Sequence, residues 1–393
     1  MDCGLTVDQK RVVGNAEEVA RECLEPRAAK YDESATHPKE SWRDLWEQGL
    51  LTIAVPKEYG GLGLDMPTYV MVIEKLAQGC TNTAMTVHMH SVVQHYIDAL
   101  ATPEQKAYYY PDVVDHGRVF GSWGSEPGRR GGTGTVQTVI SSRDGGYAIN
   151  GLKHFCTMAG GAHRYMIHCN MENVEGYRSV LMAMVPHDAA GLKITSGWDT
   201  LGMRATVSPS VSFEECFVDK DAVLGEPGVA EKTGVGQGFG LGYAAVYIGA
   251  AQRALDYISE YLRTRRFEPD PLTLAYSPMA QRAVTEMTMA LEGARLVMYQ
   301  SASRWAEDHD PIRRAILSAR AKHLASEAAL MVTNKALQMG GGRVAHRRYP
   351  LERIYRDVRT CTLMPPSADR CMEIVGKSEL GLDDELLMLR HSS

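Results

Sequence analysis

Arg129 and Arg130 stand side by side in GRRGG, flanked by glycines. Such a pair can grip a carboxylate or phosphate bidentately, or it can face solvent. A second basic run, RTRR at Arg263–Arg266, is dense for a chain of net charge −6 and demands a local reason. Phe155 and Thr157 lie two apart in GLKHFCT, within a strand-like pattern, so a flat ring and a hydroxyl face the same side. His88 and His90, in TVHMHSVV, are two apart in a helical pattern and point nearly opposite ways, so at most one enters any one pocket. The eight cysteines form no C-x-x-C pair, which suggests reduced, mostly buried thiols rather than a zinc site or a disulfide framework, and no metal is expected.

These groups need a scaffold, and 393 residues at 44% hydrophobic and 23% charged are enough for two or three cores. The net negative charge offers no general field for nucleic acid. Apolar runs such as SVLMAMV are too short to cross a bilayer, and the N-terminus lacks a basic region followed by an apolar one, so the expectation is a cytoplasmic protein with no membrane partner.

From about residue 5 to 115 the apolar spacing is helical, broken by the glycine-rich loop PKEYGGLGLD. Between about 119 and 226 the period becomes two, in VQTVI, GYAINGLKHF, RYMIHCNM, SVLMAMVP and SVSFEECFV, the pattern of a small antiparallel β domain. After Gly234 it is helical again, and Leu317, Ala321, Leu324, Ala328 and Met331 predict the buried face of a long helix. The expected class is α+β: an N-terminal α-helical domain over 1–118, a middle β domain over 119–226 and a C-terminal α-helical domain over 227–393.

The motifs so placed resemble the acyl-CoA dehydrogenase family over nearly the whole chain. GLLTIAVPKEYGGLGLD is similar to its N-terminal signature, SEPG (Ser125–Gly128) to its T-E-P-G turn, and GLKHFCTMAGGAHRYMI to its G-x-K-x-W-I-T-N-G strand. QRALDYISEYLRTRRF resembles the start of its C-terminal four-helix bundle, and QMGGGRVAHRRYPLERIYRD its Q-x-x-G-G…P-x-E-R-x-x-R-D. The resemblance implies FAD held between the β domain and the C-terminal helices of a homo-oligomer, a tetramer or dimer. Phe155 then replaces a Trp stacked on the flavin, Thr157 lies near flavin N5, and Ser125 offers a hydroxyl to the pyrimidine edge. Arg265 takes the place of the pyrophosphate arginine, with Phe267 one residue nearer than in the family. Gln338, Gly341 and Gly342 approach the adenosine diphosphate of a neighbouring subunit's FAD.

In that family a carboxylate removes the α-proton of an acyl thioester while the β-hydrogen leaves as hydride. Counting 27 residues on from Gln338 reaches Pro365, with Met364 and Pro366 on either side. The other base position found among relatives falls near Phe239, again with no carboxylate. The substrate side implied by the resemblance includes Arg129, Arg130, His88, His90 and Met364. The leading expectation is an EC 1.3-type oxidoreductase acting on an acyl-CoA or acyl-carrier-protein thioester, passing electrons to an electron-transfer flavoprotein or another acceptor. The alternatives are a flavin-dependent monooxygenase on the same fold, a non-catalytic flavoprotein partner subunit, and a lyase that needs no α-proton abstraction.

Overall fold

Thr6 starts the first helix: its hydroxyl accepts from the Gln9 backbone N–H while the Gln9 side chain reaches back to Thr6, a reciprocal cap ahead of α1 (Val7–Val19). The computed structural model describes residues 5–127, 136–174 and 179–382. A π-helical turn at Ala20–Leu24 joins α1 to α2 (Glu25–Ser34), and α3 (Lys39–Glu47) follows. The loop after it delivers Asp65, whose side chain caps α4 (Met66–Gly79) by accepting from Thr68 N–H. Almost every side chain of α5 (Thr81–Leu100) is buried, because α4 packs on one side of it and the C-terminal helices and first strand on others. A second reciprocal cap, Thr102 with Gln105, starts α6 (Pro103–Val114).

The middle of the chain forms one eight-stranded sheet: β1 (Phe120–Trp123), β2 (Val139–Arg143), β3 (Gly146–Lys153), β4 (Arg164–Met171), β5 (Val180–Pro186), β6 (Leu192–Ile194), β7 (Val211–Asp219) and β8 (Val223–Leu224). Its order is β6-β7-β3-β2-β4-β5-β8, with β1 added on β4. Most pairs are antiparallel, as the alternating pattern suggests; β1 and β2 each run parallel to β4.

After the short α7 (Val229–Thr233), the long helices α8 (Phe239–Thr264), α9 (Pro278–Glu307) and α10 (Pro311–Val344) pack together, and α8 also lies along α4. The helices α11 (Pro350–Cys361) and α12 (Ala368–Glu379) close against α10. The expected buried face of α10 is wrong in part. Ala321 and Ala328 are buried, but Leu317 and Met331 are only half-buried and Leu324 is 42% exposed. The packed stripe is built mostly of alanines, Ala315, Ala319, Ala321, Ala325, Ala328, Ala329 and Ala336, with Val332 among them. Small side chains let α8 and α9 approach closely, so of the large apolar residues that dominate a periodicity reading Leu317 and Met331 sit at the margin of the contact and Leu324 lies outside it.

One residue ties the three parts together. The Asp357 carboxylate on α11 accepts from the Met203 backbone N–H (2.6 Å) in the β region and from Asn82 Nδ2 (2.8 Å) on α5. Burial pushes this carboxyl up to about 6. Beside it Arg356 bridges to Asp32 (2.6 Å) and Glu352 (2.7 Å). No helix among the described residues is long and apolar enough to cross a membrane.

Candidate active site

The turn after β1 carries Ser125 and Glu126. The Glu126 side chain is buried and accepts from Lys153 Nζ (2.6 Å), Gln137 N–H (2.7 Å), Thr138 N–H (2.8 Å) and Thr138 Oγ1 (2.7 Å). Burial pushes the Glu126 carboxyl up, but Lys153 and these donors outweigh it and hold it below its ordinary value. Both charged side chains are sealed from solvent, so the pair fixes the turn to the end of β3. The Ser125 carbonyl then accepts from His154 N–H (2.9 Å), and the next residues, Phe155 to Thr157, are held beside it.

Phe155 and Thr157 do not share a strand face, contrary to the spacing. β3 ends at Lys153, Phe155 adopts a left-handed φ of 55°, and the Thr157 N–H donates to the Phe155 carbonyl (2.9 Å) in a tight turn. The turn presents the Phe155 ring to solvent, 67% exposed, and buries Thr157. Trp123 stacks on Tyr165 at 3.8 Å between centroids and donates from Nε1 to the Thr157 carbonyl (2.9 Å), while Ser208 Oγ donates to Thr157 Oγ1 (3.1 Å). A large ring held in solvent on a strained backbone, over a buried hydroxyl set in a hydrogen-bonded frame, is the surface a flat heteroaromatic group would cover.

Arg265 caps the C-terminus of α8, with its guanidinium 5.2 Å from the Phe267 ring. Its Nε is buried without a hydrogen-bond partner, a donor waiting for an acceptor. Gln338 is exposed on α10, which breaks at Gly341, where φ is 62° and ψ −166°. That backbone state is open essentially only to glycine. Added Cβ atoms at Gly341 and Gly342 would meet nothing within 4 Å, so the bare backbone faces open space. The orphaned Arg265 donor and this uncovered glycine backbone fit the phosphate end of a dinucleotide.

A narrow cavity lies between α4, α5, the start of α8 and the end of α9. His88 lines it, 1% exposed, with Nδ1 2.8 Å from the Tyr69 hydroxyl and Nε2 unpartnered. The ring fits because residue 242 is glycine: a Cβ there would lie 2.1 Å from His88 Cε1. Burial, reinforced by His95, pushes His88 down to about 3, and burial pushes His95 down to about 4, so both imidazoles are neutral at neutral pH. His90 does not join them. Its Nε2 lies 3.1 Å from the Leu51 carbonyl and its Nδ1 accepts from Phe120 N–H (3.0 Å), which makes it a brace between α5, the loop after α3 and β1.

Phe239, at the alternative base position, lines the same cavity with its ring 5.3 Å from His88 and 5.1 Å from Tyr243. Tyr243 in turn lies 5.7 Å from Lys322 Nζ, which is buried and donates to the Met364 carbonyl (3.0 Å). Burial lowers the Lys322 pKa. The loop bearing Met364 and the exposed Pro365 is thereby fixed one side-chain layer from Tyr243. Among the described residues that line the cavity there is no carboxylate. Arg129 and Arg130 lie outside the described residues.

The wall of this cavity reaches the β domain. Tyr96 lines the cavity, its ring 5.7 Å from His168 of β4, and a Cβ on Gly124, next to Ser125, would sit 3.5 Å from that imidazole. The sequence reading missed Glu126, Lys153, Lys322, Tyr69, His95 and Trp305. A signal existed for two of them: Lys153 interrupts an apolar strand, and His95 follows His88 by seven residues, two helical turns along the same face. Trp305 comes from a distant helix end, and no local pattern links it to the others.

The chain matches the family models described as acyl-CoA dehydrogenase N-terminal domain over residues 6–116, middle domain over 121–216 and C-terminal domain over 241–364. It is 30% identical over 365 residues to a short-chain specific acyl-CoA dehydrogenase of Clostridium acetobutylicum, covering 91% of this chain and 94% of that protein. It is also 30% identical over 370 residues to a dibenzothiophene monooxygenase of Rhodococcus erythropolis, covering 88% of this chain and 87% of that protein. Among solved structures, that of TdsC from Paenibacillus sp. A11-2 with FMN and indole is similar at a TM-score of 0.84 and 28% identity, over 94% of this chain and 97% of that one.

Proposed function

The chain belongs to the acyl-CoA dehydrogenase family, and from that premise we propose that it is an FAD-dependent oxidoreductase withdrawing hydrogen from Cα–Cβ of an acyl thioester. The observation that carries this reading is a mostly apolar cavity sharing a wall, through Tyr96 and His168, with the Ser125–Phe155–Thr157 frame. Phe155 would pack on the flavin ring, Thr157 and Ser125 would meet its polar edge, and Arg265, with Phe267 beside it, would hold the pyrophosphate. Gln338, Gly341 and Gly342 would approach the adenosine diphosphate of a second subunit. Large exposed apolar side chains on the C-terminal helices, Met289, Leu296 and Leu324, support a homo-oligomer, tetramer or dimer. FAD, when bound, supplies the two-electron acceptor.

The chain's own side chains confine and orient the acyl group. Met66, Val92, Val235 and Phe239 exclude water from it, and Lys322 holds the Met364 carbonyl so that the loop before α12 keeps its place. Neither base position offers a carboxylate. This absence favours a second reading, flavin-dependent oxygenation on the same fold, which the dibenzothiophene monooxygenase likeness makes concrete. The carrier, CoA or carrier protein, and the acceptor, an electron-transfer flavoprotein or another, belong to the proposal. Supplying the loaded protein with acyl thioesters and an artificial electron acceptor, without O₂, tests it. An α,β-unsaturated thioester is expected; product only with O₂ and a flavin reductase overturns it.

A further inference from the structure

We propose that the cavity beside His88 is built to hold a neutral hydroxyl carried by the acyl group. This rests on the thioester reading above and names its substrate class. Three ring nitrogens from two elements have no partner there: His88 Nε2 and His95 Nε2 on α5, and Trp305 Nε1 at the end of α9. Buried polar atoms are almost always paired, so three orphans around one small cavity mark a group that is to be bound. The remaining wall is largely apolar, from Met66, Val92, Val235 and Phe239.

The chemistry of the three atoms selects the group. Indole N–H only donates, so the incoming atom has to accept. Each imidazole Nε2 donates or accepts according to its tautomer, and the Tyr69 hydroxyl, 2.8 Å from His88 Nδ1, accommodates both. A hydroxyl oxygen accepts from Trp305 and its proton can go to an imidazole lone pair, so it satisfies the site in either tautomer. A methyl leaves all three nitrogens unpaired. A carboxylate would bring a buried charge to neutral partners. Arg314, stacked at 4.1 Å on the Trp305 ring, already donates to the carbonyls of Thr233 and Asp308.

Calorimetric titration of the FAD-loaded protein without O₂ tests this with 4-hydroxybutyryl-CoA, pentanoyl-CoA, in which a methyl replaces the hydroxyl at equal size, and succinyl-CoA. The hydroxyacyl thioester is expected to bind at least about tenfold more tightly than pentanoyl-CoA, with succinyl-CoA weakest. Trp305→Phe removes the donor and keeps most of the ring; it should shrink that preference to less than about threefold. Equal or tighter binding of pentanoyl-CoA, tightest binding of succinyl-CoA, or a preference that survives Trp305→Phe overturns the proposal. Should no CoA thioester bind at all, the thioester reading itself falls and takes this inference with it.

Discussion

Proline cannot accept a proton, so Pro365 is the residue at which the proposed reaction is most exposed to experiment. Its neighbour Met364 is anchored through its carbonyl by Lys322, and Pro365 itself is exposed, so a substitution there meets little packing resistance. Pro365→Glu is expected to speed flavin reduction by a saturated acyl-CoA by roughly 10²–10⁴, the usual worth of a general base. The gain will be smaller if the freed backbone N–H lets the loop shift. A folded, FAD-loaded variant that binds the thioester without faster reduction would show that more than a base separates this site from its relatives. A second residue-scale test concerns the frame. Glu126→Gln removes the charge that faces buried Lys153 and should cost about 3–5 kcal/mol in urea unfolding, most of it recovered by adding Lys153→Met. A loss below about 1 kcal/mol would mean the pair is not what fixes the turn.

At the scale of elements, α10 shows which parts of the fold were legible. Its existence follows from apolar spacing, whereas its break at Gly341 was not expected and its buried face was misplaced, because alanines rather than leucines make the contact. The strand after Gly146 was legible too. Its end was not: the left-handed turn at Phe155 depends on the Glu126–Lys153 anchor, which joins residues 27 apart. The cavity shows the same limit, since His95 was within reach of a helical count but Trp305 meets it only through tertiary packing. The break in α10 gives its own expectation. Gly341→Ala forces a side chain onto a backbone state costing about 1–3 kcal/mol and meets no neighbouring atom, so the segment should straighten locally. FAD affinity should then fall about tenfold with the rest of the fold retained; unchanged affinity would remove this segment from the flavin site.

Over the whole molecule, the buried histidines set the response to acid. Burial pushes His88 and His90 down to about 3 and His37 and His95 to about 4, all below the ordinary value of 6.5. The folded state therefore refuses protons that the unfolded chain accepts, so this stability is fully present above pH 6.5 and is lost as pH falls toward 4. Each such proton contributes a slope on the order of 1.4 kcal/mol per pH unit. Asp357, raised to about 6, acts in the opposite sense, its stabilisation fading as pH rises from its ordinary 3.8 through 6, but it is one group against these four and His163, which burial also lowers. Urea midpoints should drop clearly between pH 7 and pH 5, and equal midpoints would show that these imidazoles are not held neutral. The three parts joined at Asp357 bring the His88 cavity against the Ser125–Thr157 frame, and the proposed chemistry there is hydride removal from a thioester. Rapid anaerobic mixing of the FAD-loaded protein with short acyl-CoA thioesters, saturated and hydroxylated, tests it most directly. The flavin's visible absorbance is expected to bleach with at least one of them; a flavin that stays oxidised with every bound thioester, yet is turned over by a reductase and O₂, would contradict thioester oxidation.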